Sequence, residues 1–282
     1  MSVRVDVHIP IFPWFRDHSF NGKVIFPAVE TMLLLADMAK NVVPDLRPQN
    51  MLHARFLKFL EIPAGAKELS VLVECENSGD DLLVRLLSKI QLKKMSRIRE
   101  HAELCFAKDT QELTPVKQME IKGAESSIDA ARIYNELVLF GPAYRTIIGT
   151  LYLSQSGAWT TLQAPDMQKM QKMQKMAARL GSPFPLDGAM HAACVLGQCL
   201  TDFVPFPVAF DQRCIHQPTR AGERYTSTVV LQSQKEHELI FDLSIFDMKG
   251  DACETIKGLR MRDVSAGTIK AAADLPKLTA FP

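Results

Sequence analysis

The chain has 282 residues, 47% of them hydrophobic, enough for one large core or two fused small ones. Its 33 lysines and arginines nearly balance 32 aspartates and glutamates, so no net field argues for a nucleic-acid partner. Residues 1–8 lack the apolar run of a secretion signal and no stretch is long and apolar enough to span a membrane, so the expected location is the cytoplasm. In chain order, Val3, Val5 and Val7 alternate with polar neighbours and predict a strand over 2–8. Asp17-His18 then leads into a loop containing Gly22 and ending at Pro27. Glycine there supplies a backbone conformation, or a close approach, that a β-carbon would forbid. Proline suits the first turn of a helix, where its missing N–H costs nothing. The run 28–39 is apolar nearly all round and predicts a helix sheathed on every side, stopped by Pro44 and Pro48.

Strands are predicted over 51–60, 68–76, 82–92 and 99–107, with a turn at Asn77-Ser-Gly-Asp80. A polar segment, 109–127, reads as a linker. Residues 129–138 predict a short helix before Phe140-Gly141-Pro142-Ala-Tyr144, and paired strands follow over 144–153 and 158–164. The triplet repeat Met167-Gln-Lys-Met-Gln-Lys-Met-Gln-Lys-Met176 fits a solvated helix or loop better than a Met-lined binding helix. A second apolar helix opens in Ser182-Pro-Phe-Pro-Leu-Asp187-Gly-Ala-Met-His191, with Asp187 and His191 four apart on one face. Taken alone, Asp187 reads first as a plain helix N-terminal cap, and His191 reads equally as a core histidine. Strands are predicted over 213–216, 226–232, 239–247 and 253–264, and the tail beyond is expected to be poorly ordered. The cysteines Cys75, Cys105, Cys194, Cys199, Cys214 and Cys253 form no disulfide-like cluster, which suits buried thiols in a reducing compartment.

Several of these landmarks carry one resemblance. His18-x3-Gly22-x4-Pro27 is similar to the His-x3-Gly-x4-Pro motif of the dehydratase domains of polyketide and fatty-acid synthases. Phe140-Gly141-Pro142-Ala-Tyr144 resembles the second part of their Gly-Tyr-x-Tyr-Gly-Pro-x-Phe element, with Phe140 where a tyrosine is usual and Leu137-Val138 in place of Gly-Tyr. Leu186, Asp187 and His191 match their Leu-Asp-x3-Gln/His signature, and Phe206-Pro207-Val-Ala-Phe210 weakly matches Leu-Pro-x-x-Trp. Ala28 replaces the glycine that usually follows the proline.

The resemblance implies an α+β double hot-dog fold, two tandem antiparallel sheets each wrapped around a central apolar helix. The halves would be 1–108, carrying His18, and 128–268, carrying Asp187, with the linker 109–127 between them and a tail over 269–282. The implied reaction is loss of water from a β-hydroxyacyl thioester, with His18 as the base for the α-proton and Asp187 as the acid for the leaving hydroxide. His191, Gly22, Pro27 and Ala28 would support the pair, and the N–H groups opening the helix after Pro27 would face the thioester oxygen. Phe140, Gly141, Pro142 and Tyr144 would wall an otherwise apolar substrate tunnel, and Phe184, Leu186 and Met190 would shield Asp187 so that it keeps its proton. No metal or redox cofactor is implied. The substrate would ride on the phosphopantetheine arm of an acyl carrier protein, or on coenzyme A, beside other synthase subunits; a homodimer is compatible with this arrangement. Two rival readings stand beside it: a non-catalytic hot-dog module that binds an acyl chain or partner, and a double-bond isomerase or cyclase that uses the same pair.

Overall fold

The computed structural model describes residues 2–79, 81–91, 95–107, 123–166 and 179–279; the Met-Gln-Lys repeat and most of the expected linker lie outside them. The first apolar run forms α1 (Ala28–Val42), whose chain turns away before Pro44, since the residue ahead of a proline disfavours helical geometry. Met32, Leu33, Leu35, Ala36 and Ala39 are all buried, so α1 is a core helix enclosed by sheet. Around it run β1 (Ser2–Pro10), β4 (Asn50–Phe56), β5 (Glu68–Ser78), β6 (Asp81–Gln91) and β7 (Ser96–Ala107). A small ribbon of β2 (Ser19–Phe20) and β3 (Lys23–Val24) sits apart from them. The period of two is plain in β5, where Leu69, Val71, Val73 and Cys75 point inward.

The second apolar run forms α2 (Phe184–Leu200), in which every residue from Phe184 to Cys199 is buried. Its sheet contains β8 (Ser126–Asp129), β9 (Ile147–Ser154), β10 (Gly157–Gln163), β11 (Phe206–Ile215), β12 (Arg224–Lys235), β13 (Glu238–Asp247) and β14 (Ala252–Arg262). The molecule is therefore a double hot-dog. The two sheets join edge to edge into one, in the order β1-β5-β6-β7-β4-β11-β14-β13-β12-β10-β9-β8. The seam is the antiparallel pair β4·β11, in register from Ala209 opposite Arg55 to Cys214 opposite Asn50. Beside that seam Arg213 of β11 is buried against Glu254, Nε to Oε1 2.5 Å, with its other end on the sulfurs of Met32 and Met51.

Some expectations need correction. The strand predicted over 51–60 stops at Phe56, because the next residues leave the sheet so that the Leu60 carbonyl can accept from the Phe26 N–H ahead of α1. Ser126 and Ser127, placed in the linker, belong to an edge strand paired with β9. The helix predicted over 129–138 is one turn, Ala130–Arg132, that widens into a π-turn over Ile133–Leu137; Asp129 caps it by accepting from the Arg132 N–H. Residues 142–144 form a 3-10 turn, so that strand begins only at Ile147. The tail is ordered as far as 279. It lies back along the second half, where Leu275 is buried and the Leu278 N–H donates to the Cys199 carbonyl at the end of α2.

Candidate active site

His18 follows a 3-10 turn, Pro13–Asp17, and stands just ahead of the β2–β3 ribbon. Asn21 and Gly22 both take positive φ, 48° and 72°, the combination of a tight hairpin turn. A β-carbon on Gly22 would meet nothing within 4 Å, so its use here is conformation rather than close approach. The hairpin returns the chain so that the Ile25 N–H donates to the His18 carbonyl and the Ile25 carbonyl accepts from His18 Nδ1, at 3.0 Å. A carbonyl can only accept, so Nδ1 carries the hydrogen and Nε2 keeps its lone pair. Burial pulls the His18 pKa below 6.5, opposed by the charge of Asp187 and reinforced by His191.

Two aromatic groups from the second half fix the ring. Phe140 stacks on His18 with centroids 4.4 Å apart and planes 19° apart, and Tyr144 meets it edge-on at 5.1 Å. Asp17 anchors both by accepting from the Gly141 N–H through its carbonyl (2.7 Å) and from the Ala143 N–H through its carboxylate (2.9 Å). The glycine at 141 is required by that contact, since a β-carbon would lie 2.5 Å from the Asp17 carboxyl. The residue before the histidine thus clamps the opposite half of the molecule.

Asp187 is buried in the first turn of α2. His191, one turn further on, places Nε2 2.9 Å from Asp187 Oδ2, but the approach is too poorly aligned to make a hydrogen bond. On its other side His191 Nδ1 lies 3.3 Å from the hydroxyl of Tyr134, which accepts from the Ile147 N–H at 2.9 Å. That hydroxyl has spent an acceptor site, and its own hydrogen is free for Nδ1.

His18 and Asp187, one from each half, line a single cavity of about 660 Å³. Ala28, at the N–H end of α1, and His191 open onto it, and so does Phe140. Met190, Cys194 and Gln198 extend its wall down the same face of α2. Of the other residues expected at the site, Gly22 and Pro27 shape the loop and the start of α1 without reaching the cavity wall. Gly141, Pro142 and Tyr144 do not line the cavity: Tyr144 is buried against His18, and the Gly141 turn is held by Asp17, with Pro142 exposed. Phe184 backs Tyr144 and Leu186 packs in the core, so Met190 is the one shield of the three that faces the cavity. The wall is also less uniformly apolar than expected: Lys58, Arg99, His101, Gln198 and Lys270 contribute to it. Sequence reasoning missed Asp17, Tyr134 and Gln198. It also missed the tail, whose Ile269, Lys270 and Ala272 complete one end.

Residues 112–269 match the family model described as the polyketide synthase dehydratase N-terminal domain. No curated protein matches the chain. Solved structures similar to it include a trans-AT polyketide synthase dehydratase domain from Brevibacillus brevis, at 17% identity and TM-score 0.73, covering 93% of each chain. The dehydratase domain from the CurF module of the curacin polyketide synthase is similar at 16% identity and TM-score 0.74, again over 93% of both chains. The dehydratase domain of a mycocerosic acid synthase-like synthase gives 12% identity and TM-score 0.75 over 93% of this chain and 91% of that one. At these identities the likeness carries the double hot-dog fold.

Proposed function

The chain belongs to the polyketide synthase dehydratase family, and from that premise we propose that it eliminates water from a β-hydroxyacyl thioester to give the α,β-unsaturated thioester. One observation carries the reading. A histidine with a free ring nitrogen and a buried carboxyl, from different halves of the molecule, open onto one acyl-sized cavity.

The chemistry follows from the groups. The α-proton is weakly acidic and hydroxide leaves poorly, so a base and an acid must act on adjacent carbons of one bound chain. His18 Nε2 takes the α-proton, and its lowered pKa keeps it neutral at pH 7 and ready to accept. As the C–H bond breaks, charge gathers on the thioester oxygen, and the N–H groups opening α1 at Ala28 are the donors positioned to meet it. Asp187 gives its proton to the β-hydroxyl, which leaves as water. Stacking by Phe140 holds the imidazole in place while it gains charge. The substrate arm is a phosphopantetheine thioester, on an acyl carrier protein or on coenzyme A, and Lys58, Arg99 and Lys270 suit the phosphate end of either.

Incubation with 3-hydroxyacyl thioesters on both carriers, followed by intact-mass measurement, tests the reading. The expected result is loss of one water with appearance of the conjugated-thioester absorbance. Bound but unchanged substrate would replace it with that of an acyl-binding module.

A further inference from the structure

The carboxyl of Glu30 has no part in the mechanism above. It is the third residue of α1 and 1% exposed, and neither of its carboxyl oxygens has a hydrogen-bond partner. The indole N–H of Trp14 is directed at it without completing a bond of normal geometry, and the hydroxyl of Tyr144, within electrostatic reach, is also buried and unpartnered. A buried polar group left unpaired costs about 1–3 kcal/mol, so three together beside an active site call for a purpose. Asp187 provides the second half of the argument. Both carboxyls sit in the first turn of the central helix of their own hot-dog, α1 touches α2, and the two acids act on one another. Interacting buried carboxyls do not both ionise freely.

We propose that the buried side chain at Glu30 must stay uncharged for the site to accept the charge developing on the thioester oxygen. Ala28, which meets the cavity at the N–H end of α1, is two residues before it. An ionised Glu30 in that turn cancels the attraction of the helix end for an anion and repels the enolate-like state. A neutral one does neither. Burial is the larger cause of a Glu30 pKa raised to about 8; Asp187 adds to the rise in its ionised state, the one left once it has given up its proton, and Trp14 pulls the other way. The groups facing this region are Asp17 from the turn ahead of His18, His18 itself, Tyr144, and Asp187 with His191 from α2. Burial moves His18 down and Tyr144 far up, so neither ionises in the mildly alkaline range where Glu30 does.

The inference rests on the dehydratase reading, and its test separates the two. Turnover of a 3-hydroxyacyl pantetheine thioester is measured against pH for the wild type and Glu30→Gln, with folding followed by circular dichroism at each pH. Glutamine keeps the shape and stays neutral. Wild-type kcat is expected to fall above pH 8, approaching about tenfold per pH unit, while Glu30→Gln stays level through that range and within about threefold of wild type at pH 7. Infrared difference spectra at pH 7 give a readout without turnover: a protonated buried carboxyl band in the wild type, lost in Glu30→Gln. Should glutamine fail to fold, Glu30→Met, also neutral, takes its place. The same alkaline decline in both proteins, or no band lost, overturns the proposal. A lost band in a wild type that turns over no thioester would instead sink the dehydratase reading and leave the neutral Glu30 standing.

Discussion

Replacing Tyr134 with phenylalanine removes one oxygen from the chain of contacts that ends at Asp187. The ring is 3% exposed and its packing survives, so the effect comes from hydrogen bonds alone. The Ile147 N–H, 2.9 Å from the hydroxyl, is left inside the protein without an acceptor, at a cost of about 1–3 kcal/mol. The longer contact to His191 Nδ1, 3.3 Å, adds little stability, but it sets which ring nitrogen faces Asp187. Urea unfolding of Tyr134→Phe should therefore show a lower midpoint at an unchanged slope, equivalent to that loss. Turnover of a β-hydroxyacyl thioester should fall by a few-fold at most, since the hydroxyl supports His191 and touches neither reacting carbon. An unchanged midpoint would refute the satisfied-hydroxyl argument. A loss of turnover as deep as that from removing His18 would refute the supporting role given to His191.

Two further outcomes follow from the same geometry. Asp17→Ala deletes the acceptor of the Ala143 N–H and loosens the turn that presses Phe140 onto His18, so KM should rise and kcat fall together while Asp17→Asn, which keeps an acceptor, recovers most of both. His18 is held neutral by burial, with a folded pKa below the unfolded 6.5; the unfolded chain binds more protons just below that pH, so stability should drop as pH falls from 6.5 toward the folded pKa, and His18→Gln should flatten the drop in acid unfolding curves.

The helices and most strands were legible because each depends on local pattern, and the double hot-dog plan followed from the resemblance. An apolar run such as 28–39 is too uniformly greasy for a surface helix, and β5 alternates outward and inward from Glu68 to Glu76. His18 and Asp187 were legible through motif spacing. The clamp was not: Asp17 looks like any polar residue before a histidine, and its partner, the Gly141 turn, lies more than a hundred residues away. The tyrosine and histidine behind Asp187 hid for the same reason, since Tyr134 sits in a π-turn that helix periodicity does not describe. The tail was misjudged, though Leu275 and Leu278 are hydrophobic anchors that pack it against the core, while Ile269, Lys270 and Ala272 meet the cavity. Phe140 stands where the resemblance expects a tyrosine, and its job here needs no hydroxyl: its ring stacks on His18.

The central claim is that His18 and Asp187 act as one unit across the two halves. Its most direct test is turnover of a β-hydroxyacyl thioester by the wild type, His18→Ala, Asp187→Asn and the double variant, each shown to be folded. Each single change should cost about 10²–10⁴-fold in kcat, with the double variant no slower than the worse single one. Full turnover by either folded single variant, or losses that simply multiply in the double, would contradict it.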